Sequence, residues 1–188
     1  GLPAIKTLLI EGVCVNITLI FAQGVYAQVA EIYLQALEVR ASRGQSLDAV
    51  SSVASTFVSR IDTAVDDELA KSIEQASGNA EEARMLLGKV AVANSRAVYK
   101  MFTEIFSTER FEALAAQGAR QQRPLWASTS TKNPAYPATL YVDELIGPDT
   151  VNTMPENTMD EFREHGDVTE TLGENLDHWL DVLDRVEA

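Results

Sequence analysis

The sequence predicts an α/β protein made of parallel βα units, and three observations carry that prediction. Four apolar or alternating segments read as strands, each is followed by residues of helical periodicity, and glycine or proline turn signals separate them. Strands that follow one another through helices run parallel, joined by right-handed crossovers.

The chain opens in a helix. Leu2, Ile5, Leu8 and Leu9 fall at helical spacing within residues 1–11, and Gly12 stands where a C-cap belongs. Residues 13–21, VCVNITLIF, then read as a strand. Alternation places Cys14, Asn16, Thr18 and Ile20 on one face and Val13, Val15, Ile17, Leu19 and Phe21 on the other. A buried amide without partners costs about 1–3 kcal/mol, so the mixed face must meet polar groups, water or a ligand.

Residues 23–40 predict a helix with Val25, Val29, Ile32, Ala36 and Val39 on one stripe, closed by Gly44. Residues 52–62, SVASTFVSRID, alternate as a second strand. Val65, Leu69 and Ile73 mark a short helix, and Asn79 is the expected N-cap of a longer one running to about Phe106. Ser107 and Gly118 bracket another short helix, with Phe111 and Leu114 as its apolar contacts. Residues 124–129, PLWAST, form a third strand that leads into the loop STKNPAYP. A helix over 138–145 stops at Gly147-Pro148, and 150–155, TVNTMP, is the fourth strand. Helices over 159–164 and 169–186 complete the chain, the last with Leu172, Leu176, Leu180 and Leu183 on one side.

With 188 residues and 46% hydrophobic content, the chain is long enough for one ordinary domain with its own core. A formal net charge of −13 with no cluster of Lys or Arg argues against nucleic acid or an anionic membrane as partner. The single cysteine, Cys14, allows no intramolecular disulfide, fits a reducing, cytoplasmic compartment, and reads as a small buried hydrophobe. No signal peptide is evident, and no apolar run approaches the ~20 residues that span a bilayer. Four βα units are half of an eightfold barrel, which takes roughly 250 residues. A small open sheet wound on both faces accepts four strands equally well, and periodicity does not decide between them.

In either architecture functional groups gather at the carboxyl ends of strands. That rule selects Asn16 and Thr18; Ser55, Phe57 and Arg60; Ser128, Thr129 and Lys132; and Asn152 and Thr153. No carboxylate pair, metal-ligand set or glycine-rich phosphate loop accompanies them. Each has a plainer reading: Asn16 and Thr18 as a hydrogen-bonded core pair, Arg60 as a surface partner of Asp62, Lys132 as a solvated loop lysine. Arginine nonetheless has the planar fork that suits phosphate. Trp126 reads as core packing, His165 and His178 as helical residues without a role, and Glu81, Glu82, Arg84 and Lys89 as a solvated helix face.

GLPAI, GVCVNITLIF, SVASTFVSRID, RPLWASTSTKNPAY and YVDELIGPDTVNTMP, in that order, resemble consecutive blocks of the transaldolase family, in the bacterial branch carrying ASTxTKNP and DTVNTMP. The resemblance covers essentially the whole chain. It implies the second half, strands five to eight with additional helices, of a TIM-type (β/α)8 barrel: a single partial domain over 1–188, truncated at both ends. It also implies transfer of a dihydroxyacetone unit between sugar phosphates in the pentose phosphate pathway. Sedoheptulose 7-phosphate and glyceraldehyde 3-phosphate would give erythrose 4-phosphate and fructose 6-phosphate through a lysine Schiff base, with no cofactor and no metal.

On this resemblance Thr18 helps position a catalytic water and Asn16 binds substrate hydroxyls beside the Schiff base. Ser55 and Phe57 match the sixth-strand wall, and Arg60 matches an arginine that holds the substrate phosphate. Ser128 and Lys132 are assigned phosphate contact, in a region that departs from the better-known branch. The family's Schiff-base lysine precedes the GLPAI block, and its acid/base aspartate and glutamate lie further upstream. Here Lys6, Lys71, Lys89 and Lys100 read as helical and Lys132 as a loop residue, so the chain alone is expected to be inactive. The alternative is a noncatalytic half-barrel that needs a complementary amino-terminal half to fold and act; the expected protein partner is that missing half or a second copy in a homo-oligomer.

Overall fold

A computed structural model describes residues 1–75 and 80–187. In chain order its elements are α1 (Leu2–Glu11), β1 (Val15–Ile20), α2 (Gln23–Ser42), β2 (Ser52–Phe57), α3 (Ser59–Glu74), α4 (Ala80–Leu86) and α5 (Val90–Ile105). There follow α6 (Glu109–Ala115), β3 (Arg123–Ala127), α7 (Leu140–Asp143), β4 (Val151–Asn152), α8 (Glu156–His165) and α9 (Leu176–Glu187). The strands form one parallel sheet in the order β1-β2-β3-β4, as the alternation of strands and helices predicts. The chain divides into two compact units, residues 1–56 with 98–125 and residues 57–97 with 126–188.

In the first unit α1 packs on α2. Gly12 ends α1 in the left-handed conformation, φ 92°, as its position predicts. Arg40 of α2 is buried and donates to the Ile10 carbonyl (2.8 Å) and the Ser46 carbonyl (2.7 Å), so one guanidinium ties down an end of α1 and the turn after α2. The buried face of α2 comprises Tyr26, Val29, Ala30, Tyr33, Leu34, Ala36, Leu37 and Arg40, whereas Val25 is exposed. The predicted stripe is thus rotated: Tyr33 and Arg40 carry their polar tips inward to partners that periodicity does not foresee, while the buried Tyr26 hydroxyl has no partner among the described residues. Tyr33 donates to the Arg120 carbonyl (2.8 Å), and its ring joins Phe106, which meets Phe111 edge-on at 5.0 Å between centroids.

In the second unit Leu86, Val90, Ala93 and Val182 are buried together, with Ile61, Val65 and Leu69 of α3 and Trp179 and Leu183 of α9 packed against them. The long helix expected to run to Phe106 is two helices. Its expected N-cap, Asn79, lies outside the described residues. Gly88, at φ 69°, makes the break between α4 and α5, its N–H donating to Asp66 (3.0 Å). A Cβ there would come within 2.7 Å of the Tyr136 ring. Lys89 accordingly sits in the turn and not on a helix.

Other boundaries move as well. The second strand stops at Phe57, so Ser59, Arg60 and Asp62 belong to the first turn of α3. Residues 169–175 precede α9, because the N–H groups of Thr171 and Leu172 go to the Ile146 carbonyl. Trp126, as predicted, is fully buried.

Candidate active site

The predicted site residues fall into two groups, one in each unit, and each group has its own geometry. In the first unit β1 and β2 pair with Val15 opposite Ser52, Asn16 opposite Val53 and Ile17 opposite Ala54, but Ile20 opposite Thr56. One extra residue is therefore accommodated on β1, and Leu19 takes it up at φ 63°. This bulge breaks the predicted two-face alternation: Ile20 is buried with Ile17, whereas Leu19 is 59% exposed. Cys14 is exposed, not buried, and its sulfur accepts the Ser51 N–H (3.3 Å). Asn16 and Thr18 are exposed too, so they are not a core pair. Across the pair Ser55 donates its hydroxyl to Asn16 Oδ1 at 2.6 Å, so the structure brings these two predicted residues together. Thr18 stands on the bulged segment of the same strand.

In the second unit the Arg60 guanidinium lies 5.2 Å from the centroid of the Phe57 ring. Arg60 is exposed and does not take Asp62 as a partner, since Asp62 points into the core. Just past β3, Ser128 is held at φ 58°, a left-handed conformation that costs a non-glycine residue about 1–2 kcal/mol. Strain of that kind concentrates where a function over-determines the backbone. Three consecutive hydroxyls there each take their own partners. Ser128 Oγ is 3.0 Å from Ser59 Oγ, Thr129 donates toward Asn152 Oδ1 (2.9 Å) and the Thr153 carbonyl (3.1 Å), and Ser130 Oγ is 2.8 Å from Thr158 Oγ1.

Lys132 is exposed at a cleft of about 230 Å³ whose walls include Asp62, Asp66, Asp67, Tyr136 and Tyr141. Carboxylates there compete with any anion for its ammonium. The residues that sequence reasoning passed over are Ser59, Asp62, Asp66, Tyr136 and Tyr141. Ser59 and Asp62 carried a legible signal, since Ser-x-x-Asp marks a helix start. The two tyrosines carried none, because their partners lie 70 and 79 residues away.

Asp62 is 1% exposed. Its Oδ1 accepts the Ala91 N–H at 2.7 Å, near the start of α5, and its Oδ2 accepts the Tyr141 hydroxyl at 2.8 Å. Burial pushes the carboxyl up from 3.8 to about 6, although those two hydrogen bonds pull it down. The folded protein therefore binds this proton more tightly than the unfolded chain. The resulting stability, on the order of 2–3 kcal/mol, is fully present below the unfolded pKa and is lost as pH rises through the folded one. Asp62→Asn can keep both bonds, with its carbonyl accepting from Ala91 and its amide donating to the tyrosine oxygen. Urea unfolding of parent and variant between pH 4 and 7.5 should show this loss with rising pH in the parent and a flatter profile in the variant. Identical profiles would remove Asp62 as the source.

Among the described residues no group of three or more His, Cys, Asp or Glu is placed to hold a metal ion. Nor is any helix among them long and apolar enough to cross a membrane.

Parallel strands alternating with helices, with hydrogen-bonding side chains at or just past the strand ends, define the βα class to which half of a (β/α)8 barrel belongs. A family model described as transaldolase/fructose-6-phosphate aldolase matches residues 1–188, and the chain belongs to that family. It is 42% identical over 189 residues to a transaldolase of Trichodesmium erythraeum, covering 100% of this chain and 50% of the relative. It is 46% identical over 200 residues to one from Parafrankia sp. (100% and 53% covered) and 48% identical over 189 residues to one from Thermobifida fusca (100% and 50%). The chain thus spans about half the length of these curated relatives.

Proposed function

We propose that these 188 residues are the substrate-binding second half of a transaldolase. The observation that carries this reading is the family match over the whole chain, in which Ser55 and Asn16 meet across neighbouring parallel strands. In the proposed reaction a lysine supplied from outside these residues adds to the ketose carbonyl, and the carbinolamine loses water to give an iminium ion. The bond between the α and β carbons of the iminium then breaks as the β-hydroxyl gives up its proton, and its electron pair is drawn into the iminium, which releases an aldose phosphate and leaves an enamine. The enamine forms one new bond to a second aldose phosphate, and water frees the product ketose. Thr18 assists the dehydrating water, Asn16 and Ser55 hold substrate hydroxyls, and Phe57 backs Arg60. Arg60 and Ser128 receive the phosphate, and Lys132 contributes less because of its aspartate neighbours.

None of the five lysines is buried and none lies in a strand, which supports an external nucleophile. Borohydride trapping with a ketose phosphate tests this. The isolated chain should gain no adduct, and a chain of the relatives' length should gain one, on a lysine outside these residues. An adduct on Lys132 or any other lysine of this chain would overturn the assignment.

The reading in which a complementary half is needed for folding has its own support in the first unit. Leu8, Val13, Leu19, Phe21 and Val25 are between 38% and 59% exposed, on and beside β1, an outer strand of the sheet. Size-exclusion of the 188 residues with and without the amino-terminal half separates the outcomes. A folded monomer alone would count against that need, and a homo-oligomer would show that a second copy covers the patch instead.

A further inference from the structure

Ser59 lies next to Arg60 but is 1% exposed, out of reach of any substrate. What it touches is Ser128, and it does so twice. Its backbone N–H donates to the Ser128 carbonyl at 3.0 Å, and its Oγ stands 3.0 Å from Ser128 Oγ. The preceding N–H, from Val58, goes to the Ala127 carbonyl at 2.9 Å, so two successive donors at the start of α3 receive the end of β3. The Ser59 N–H is one of the helix's otherwise unmatched N-terminal donors, which the Ser128 carbonyl satisfies. Ser128 itself is half-buried and left-handed, and the residue after it is fastened to Asn152 and Thr153.

We propose that Ser59 is a positioning residue that holds Ser128 in its left-handed conformation and donates to its hydroxyl, so that the Ser128 proton is free for an anionic oxygen of the substrate. This rests on the reading that Ser128 contacts the substrate phosphate. The direction of the bond follows from the ligand. A phosphate oxygen only accepts, so Ser128 must donate to it, and the hydrogen between the two serines must then come from Ser59. A donor chain ordered in this way also strengthens its terminal bond. If the bond ran the other way, the Ser128 proton would be committed to Ser59.

The test is a double-mutant cycle in the protein at its relatives' length, assayed with a phosphorylated and an unphosphorylated aldose acceptor. Ser59→Ala should raise KM for the phosphorylated acceptor about tenfold, with kcat changed less than about twofold and the unphosphorylated acceptor unaffected. Ser128→Ala should raise the same KM about tenfold or more, and adding Ser59→Ala to it should change it less than about twofold further. Ser59→Thr, which keeps the hydroxyl, should restore KM to within about threefold of the parent.

If Ser128→Ala leaves KM unchanged, the phosphate reading of Ser128 is wrong and the proposal goes with it. A KM that responds to Ser128→Ala but not to Ser59→Ala, or that responds independently to each, overturns the positioning role alone. Should Ser59→Ala unfold the protein, Ser59→Cys, nearly the same size and a weak donor, gives the same reading: a raised KM for the phosphorylated acceptor supports the role and an unchanged one refutes it.

Discussion

Replacing Arg60 with alanine, in the protein at its relatives' length, should lower kcat/KM for phosphorylated sugars about a hundredfold and change unphosphorylated ones less than about threefold. The size follows from two charge-assisted hydrogen bonds to a phosphate, each contributing roughly 1.5–3 kcal/mol, of which water recovers part at this exposed position. Stability should hardly move, since the exposed stacking on Phe57, 5.2 Å from its centroid, is a contact of about 0.5–1 kcal/mol. Arg60→Lys should fall between the two, because an ammonium keeps the charge and loses the fork. Steady-state kinetics on matched phosphorylated and unphosphorylated acceptors decides the point. An equal loss on both would take Arg60 out of the phosphate site and leave it a fold residue.

How far the sequence could be read depended on how local each cause was. The helix end at Gly12 was legible because a left-handed C-cap needs only glycine, and φ 92° is what stands there. The break at Gly88 was not, because a single glycine in a helical pattern is ambiguous. What makes it a turn is Asp66 taking its N–H and the Tyr136 ring lying where a side chain would otherwise go. The β1 bulge escaped for a similar reason: VCVNITLIF alternates cleanly as a string, and only its register against β2 reveals the extra residue at Leu19.

The candidate site shows the same division. Asn16, Ser55 and Arg60 could be singled out because polar residues near strand ends contradict an apolar pattern, and the contact between Asn16 and Ser55 follows from pairing β1 with β2. Ser59 and Asp62 were absorbed into an overlong strand, although SVASTFVSRID contains both an alternating run and a helix-start spacing. Their partners are distant in sequence, Ser128 for one and Ala91 and Tyr141 for the other. A one-dimensional pattern registers which residues are polar, and long-range pairing decides which of them face substrate and which face each other.

Arg96 is a residue of the second kind, and the largest stability effect is expected there. Its side chain is 3% exposed, donating to the Glu174 carbonyl (2.7 Å), the Glu144 carbonyl (3.1 Å) and the Glu144 carboxylate (2.7 Å). Its guanidinium carbon lies 4.7 Å from the centroid of the Trp179 ring. One side chain on α5 therefore joins the end of α7, the residues before α9, and α9 itself. Burial lowers the Arg96 pKa and Glu144 opposes that shift, and an arginine guanidinium paired in this way stays charged. Arg96→Ala should cost about 3–5 kcal/mol, since it leaves the partly buried Glu144 carboxylate and two backbone carbonyls without their donor and opens a cavity beneath Trp179. The pair is not ideal, however, because the Arg96 Nε–H is buried and has no partner. Filling the space with Arg96→Met while removing the charge with Glu144→Gln should therefore cost less than Arg96→Ala alone. Urea unfolding followed by tryptophan fluorescence measures all three proteins. If the double variant proves less stable than Arg96→Ala, the cavity and the unpaired Glu144 carboxylate are not what the alanine variant suffers from.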